Sequence, residues 1–137
     1  MAHIDTIQTV IDCWKKGDLD GVLDQLHDDV VYHYHVGSRP LEGKDWVRRF
    51  LEKFGAGQTE IRWFIRHWTQ DGDRVMVEGV DDYVDAEGTR IQTPYMGVFE
   101  FEDGKIRNWR DYVDLGLVKM IKDGDGLPEW VKPLVAA

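Results

Sequence analysis

Gly97–Asp114, GVFEFEDGKIRNWRDYVD, sets two runs of strand-forming residues on either side of Asp103–Gly104. Aspartate followed by glycine between alternating apolar residues is a strong hairpin signal, because the tight turn needs positive φ at both central positions. The stretch therefore predicts two antiparallel strands, over residues 91–101 and 106–113. Working upstream, Val75, Val77, Asp81 and Tyr83 share one face of a preceding strand, and Gly79 leaves a gap between them. Ile61, Trp63 and Ile65 alternate with Arg62, Phe64 and Arg66, which predicts a further strand from residue 59.

Before residue 59 the period is mostly helical. Ile7, Val10, Ile11 and Trp14 form one stripe of a helix over residues 6–16, with Asp5 as its N-cap and Gly17 as its stop. Asp18 caps a second short helix whose stripe is Leu19, Val22, Leu23 and Leu26. Residues 29–36 contain VVYHYHV, a β-branched and aromatic run that reads as a strand, and 37–43 is a loop. A third helix over 45–54 turns Trp46, Val47, Phe50, Leu51 and Phe54 inward. A short helix around 115–121 and an irregular tail with Pro128 and Pro133 follow the hairpin. The order is helix, helix, strand, helix and then four strands. That pattern predicts an α+β fold, a curved and mostly antiparallel sheet with three helices from the N-terminal half on its concave face. At 137 residues one domain spanning 1–137 is expected.

With 26 acidic against 17 basic residues the chain carries a formal charge of −9, which argues against nucleic acid or an anionic membrane as its partner. The basic cluster Lys44, Arg48, Arg49 and Lys53 reads as a solvated helix face. Cys13 is the only cysteine, so no internal disulfide forms, and its place on a helical stripe makes it a small buried hydrophobe rather than a nucleophile. No signal-like start and no membrane-length apolar run is present, so a cytoplasmic setting is expected.

Three patches put titratable groups where a strand face is expected to be buried. Asp111 lies on the side shared with Trp109 and Val113, Asp81 on the side shared with Val75, Val77 and Tyr83, and His33 and His35 lie together on a third strand. A dehydrated carboxylate is either satisfied structurally or used for proton transfer. Two of them in one apolar cleft push each other's proton affinities apart, so that one serves as acid and the other as base. The histidine spacing would suit a metal, but no third ligand lies near in sequence, so no metal is expected and polar lining of a pocket is the reading. Asp82, Asp85 and Asp114 read as solvent-facing. No glycine-rich phosphate loop and no serine in a nucleophile turn is present.

The element order, the GVF strand, the DGKI turn and the WRDYVD strand resemble the limonene-1,2-epoxide hydrolase and SnoaL-like branch of the nuclear transport factor two-like superfamily. The resemblance is close over 75–116 and looser over 29–54. It implies a cone-shaped barrel around a deep apolar pocket, with no cofactor or metal. It also implies that Asp111 deprotonates a water held by a tyrosine and an asparagine, and that Asp81, joined to it through an arginine, donates a proton to the epoxide oxygen. Gly79 stands where that arginine is expected, and His33 and His35 stand where the water-holding pair is expected. Tyr32 or Tyr34 could supply a hydroxyl only if the register shifts by one.

The reading is a cofactor-free enzyme acting on a small apolar molecule such as a terpenoid, steroid or polyketide fragment, with water addition to an epoxide as its reaction. Asp111 is the base, Asp81 the acid, and His33 or His35 the orienting group. Trp63, Tyr83, Tyr95 and Trp109 are the expected pocket walls, and a homodimer through the outer sheet face is expected. The alternatives are an isomerase, dehydratase or cyclase in the same pocket, and a non-catalytic ligand-binding module.

Overall fold

A computed structural model describes residues 2–137. Helices α1 (His3–Lys15) and α2 (Leu19–Asp24) lead into strand β1 (Leu26–His33) and the two-residue β2 (Leu41–Glu42). Helix α3 (Lys44–Gly55) follows, and then β3 (Phe64–Asp71), β4 (Arg74–Val84), β5 (Arg90–Glu102) and β6 (Lys105–Val113). Helices α4 (Leu115–Lys122) and α5 (Lys132–Val135) end the chain. The six strands form one sheet in the order β2-β1-β6-β5-β4-β3. Among the described residues only the β1–β6 pairing is parallel. The fold is thus α+β with a mostly antiparallel sheet, as the periodicity predicts.

Local chemistry sets the element ends. Asp103 and Gly104 both take positive φ, at 54° and 76°, which is the turn that joins β5 to β6 without splaying them. Asp18 caps α2 by accepting the Gly21 N–H, and Gly17 at φ 74° ends the chain segment after α1. Helix α1 starts at His3, so Ala2 and not Asp5 is its N-cap; Asp5 lies in the first turn, where its charge complements the helix dipole.

The core lies between the helices and the concave sheet face. Val10 and Ile11 of α1 and Val47 of α3 are fully buried there, together with Val75, Val77, Phe99 and Ile106 of the strands. Each such side chain is worth about 1.5–3 kcal/mol of burial. A second cluster joins Val80, Tyr83 and Ile91 to Leu117 and Ile121 of α4 and to Val131 and Val135.

Three expectations differ locally. Trp46 is 56% exposed, because α3 buries Val47 and Leu51 and turns Trp46 outward, where the Arg49 guanidinium lies 4.9 Å from its ring centroid. β3 begins at Phe64 and not at 59, leaving Trp63 in the extended segment before it. The tail forms the one-turn α5, with proline in its first turn, where no N–H is needed. Among the described residues no helix is long and apolar enough to cross a membrane.

Candidate active site

A cavity of about 300 Å³ opens between the helices and the concave sheet face, at the small end of the range for ligand pockets. Val10, Trp14, Phe50 and Leu51 form its helical wall, and Ile91 and Val113 are among its sheet residues. Two groups of polar side chains interrupt this apolar lining. Asp81, Thr93 and Tyr95 come from β4 and β5, and Tyr32, Trp109 and Asp111 from β1 and β6.

Asp111 reaches the cavity because its neighbour across the ladder is Gly97, where a Cβ would lie 3.3 Å from Asp111 Oδ1. Trp109 Nε1–H donates to Oδ1 at 3.0 Å, and the Tyr32 hydroxyl donates to Oδ2 at 3.4 Å. Burial pushes the Asp111 carboxyl up to about 8, with the Asp81 charge adding to the rise and the two donors opposing it. Tyr32 stacks on Trp109 with ring centroids 4.2 Å apart. Its phenol is raised well above its ordinary value, first by burial and then by the Asp111 charge, so it stays a neutral donor.

Asp81 is raised to about 7 by burial and by the neighbouring Asp82 charge. No donor among the described residues hydrogen-bonds it. Part of the upward push on Asp111 is the charge of Asp81. When Asp81 holds a proton that push is gone, and the Trp109 and Tyr32 donors favour the Asp111 anion against the burial that remains the largest influence on it. Near neutral pH the coupled pair holds one proton between the two carboxyls: burial, the largest influence, favours it on Asp111, and the Trp109 and Tyr32 donors favour it on Asp81.

Asp82 is not solvent-facing as expected. It is 4% exposed, bound by Arg90 Nη1 at 2.7 Å and Gln92 Nε2 at 3.2 Å, so its charge is compensated on the face opposite the cavity. Asp85 and Asp114 instead accept backbone N–H groups, in the turn after β4 and at the N-cap of α4.

The expected histidine pair is divided. His33 is the β1 residue opposite Arg110, so it points away from the cavity side that Tyr32 and Trp109 share. β1 ends at His33, and His35, released from strand alternation, lines the cavity with Nε2 2.9 Å from Ser38 Oγ. Tyr32 and Tyr34 take the inward positions. The signal for this was present: Val30, Tyr32 and Tyr34 form the more apolar of the two alternating sets in VVYHYHV. Trp63, Tyr83, Tyr95 and Trp109 all line the cavity. Thr93 is the lining residue that periodicity offered and composition hid, as the cross-strand partner of Asp81.

Position 79 is covered by Tyr95. A Cβ on Gly79 would lie 2.7–2.8 Å from the Tyr95 ring and hydroxyl, and Trp63 Nε1 donates to that hydroxyl at 2.6 Å. Elsewhere His27, Glu102 and Asp103 bring three possible metal ligands together. His27 Nδ1 accepts the Asp29 N–H, however, so Nε2 carries the ring proton and turns it toward Glu102 at 3.0 Å. That tautomer offers a donor and no lone pair to an ion.

The sequence profile of the SnoaL-like domain matches residues 7–109, three quarters of the chain, and this chain belongs to that family. It is 30% identical over 109 residues to the epoxide hydrolase EphG of Mycobacterium tuberculosis, covering 80% of this chain and 71% of that protein. Its structure is similar to that of a limonene-epoxide-hydrolase-like epoxide hydrolase of M. tuberculosis, at TM-score 0.77 and 28% identity over 96% of each chain. It is also similar in fold to a nuclear transport factor two-like protein of Burkholderia pseudomallei, at TM-score 0.74 and 21% identity over the whole of both chains.

Proposed function

We propose that this chain adds water to an epoxide of a small apolar molecule, using Asp111 as general base and Asp81 as general acid. The observation that carries the reading is the contrast between two buried carboxyls in one apolar cavity. Asp111 is held by two donors that favour its anion, and Asp81 has none. The similarity to epoxide hydrolases at 28% and 30% identity supports the same chemistry.

In the step proposed, Asp111 takes a proton from water as the water oxygen bonds to one epoxide carbon. The C–O bond on that carbon breaks, its electron pair stays on oxygen, and that oxygen takes the proton of Asp81. Atoms balance as epoxide plus water to diol, and one proton must return from Asp111 to Asp81 before the next turnover. Tyr32 keeps the base oriented, and His35 and Tyr34 border the cavity. His33 has no part in the site.

A single turnover in heavy-oxygen water, with enzyme in excess over a cyclic terpenoid epoxide, tests the reading. One heavy oxygen in the first-formed diol establishes direct attack by water. Asp111→Asn is expected to lower the rate about 10²–10⁴-fold. Diol whose first turnover carries no heavy oxygen would mean a covalent carboxylate intermediate. No diol at all would favour the isomerase or dehydratase reading, since an acid and a base in one apolar pocket also suit proton shuttling.

The convex face of the sheet exposes Met76, Met96 and Tyr112. We propose that a second copy of this chain covers it. Sedimentation of wild type as a monomer, or as a dimer that Met96→Glu leaves intact, would count against that assembly.

A further inference from the structure

The β4–β5 wall of the cavity carries three polar groups that the protein does not satisfy. The Thr93 hydroxyl is buried, at 3% exposure, and has no partner among the described residues. The Tyr95 oxygen accepts the indole proton of Trp63, so its own O–H points elsewhere and meets no acceptor among the described residues. Asp81 receives no hydrogen bond. Register makes the three into one patch: Asp81 pairs with Thr93, and the next inward pair is Gly79 with Tyr95. Side chains on such adjacent inward positions are near neighbours.

We propose that the Thr93 and Tyr95 hydroxyls form, with Asp81, an oxygen-binding subsite for the neutral oxygen of an apolar ring molecule. This rests on the water-addition reading and extends it to substrate recognition. A buried hydroxyl without a partner is destabilising, so a wall that sets one, together with the unused O–H of Tyr95, beside an unpartnered carboxyl gains when a ligand oxygen or a water fills the gap. An epoxide, ketone or alcohol oxygen has two lone pairs, which the two hydroxyls can occupy. When ring opening leaves the bond pair on that oxygen, a third lone pair forms and takes the Asp81 proton. The hydroxyls thus hold the oxygen in the ground state, and Asp81 acts only as charge develops.

Gly79 makes the arrangement possible. Any side chain there would displace the Tyr95 ring. Burial and the Asp111 charge hold the Tyr95 phenol well above its ordinary value, so it remains a donor. The wall therefore offers neutral donors where the family resemblance implies a cation. The ligands it selects carry a neutral oxygen, since an anionic one would face two buried carboxyls with no compensating charge.

A matched ligand pair tests the subsite without turnover. 4-Phenylcyclohexanone and its methylene counterpart, in which C=CH₂ replaces C=O, have nearly the same shape, and only the ketone accepts hydrogen bonds. Binding is read by fluorescence titration, since Trp63 and Trp109 line the cavity. Wild type is expected to prefer the ketone by about tenfold. Thr93→Val, which preserves shape, and Tyr95→Phe should each weaken ketone binding by about threefold to tenfold and leave the alkene unchanged. Equal affinity for the two ligands, binding of neither, or a parallel loss for both in Thr93→Val would overturn the subsite. A ketone preference in a protein that forms no diol would retire the hydrolase reading and keep the subsite. Diol formation unaffected in kcat/KM by both hydroxyl variants would do the reverse.

Discussion

Asp111 and Asp81 are the same residue type in the same cavity, and what separates them is a pair of hydrogen bonds. An indole N–H and a phenol O–H reach Asp111, and they stabilise the charged form that a base needs. Removing the indole donor should therefore make the base harder to ionise. A hydrogen bond to a charged group contributes about 1.5–3 kcal/mol, which corresponds to about one to two pH units. Trp109→Phe is thus expected to move the acid limb of the kcat profile upward by that amount, while kcat at high pH changes less. An acid limb that stays in place would make Trp109 a packing residue only. Alternation showed that Asp111 and Trp109 share a face, and it showed the same for Asp81 and Tyr83. For VVYHYHV the chemistry of the histidines favoured the wrong set, since a one-residue change of parity exchanges the two faces and the more apolar tyrosine set is the one turned inward.

At the scale of the strand, β4 and β5 are built around an omission. Their ladder runs unbroken from Arg74↔Glu100 to Val84↔Arg90, and in its middle Gly79 lets the Tyr95 ring lie against bare backbone. Gly79→Ala puts a methyl group 2.7 Å from that ring, and overpacking of this kind costs about 1–3 kcal/mol. The same substitution should cost almost nothing in a Tyr95→Ala background, where the ring is gone. Chemical denaturation of the four proteins in this cycle measures the coupling, and equal costs in both backgrounds would refute the contact. The strands and helices themselves were legible, since the Asp103–Gly104 turn, the Asp18 cap and the helical stripes are local signals. What stayed hidden depends on partners distant in sequence. Asp82 looks solvated until Arg90 and Gln92 come across the ladder to meet it, and Thr93 looks ordinary until Asp81 becomes its neighbour.

For the whole molecule, the two cavity carboxyls set how stability responds to pH. In the unfolded chain an aspartate has its pKa at about 3.9. In the folded protein burial raises Asp81 to about 7 and Asp111 to about 8. Between these limits the native state binds more protons than the unfolded state, so stability must fall as pH rises, by up to about 1.4 kcal/mol per unit for each carboxyl. Glu100 works in the opposite sense. Its pairing with Arg110 and Arg74 lowers its pKa, so its contribution is lost only on acidification below the ordinary carboxylate range. The net charge of −9 also disfavours the compact state as pH rises, and that effect must be separated from the cavity pair. Asp81→Asn with Asp111→Asn makes the separation, because it removes the buried titrations and leaves most of the surface charge in place. Wild type is expected to lose a few kcal/mol of unfolding free energy between about pH 5 and about pH 8, and the double variant much less. The variant should then be the more stable protein at the higher pH while lacking both groups proposed for catalysis, the exchange of stability for function that a strained site entails. Parallel urea midpoints for the two proteins across that range would mean that neither carboxyl is raised in the folded state, and the acid–base assignment would fall with them.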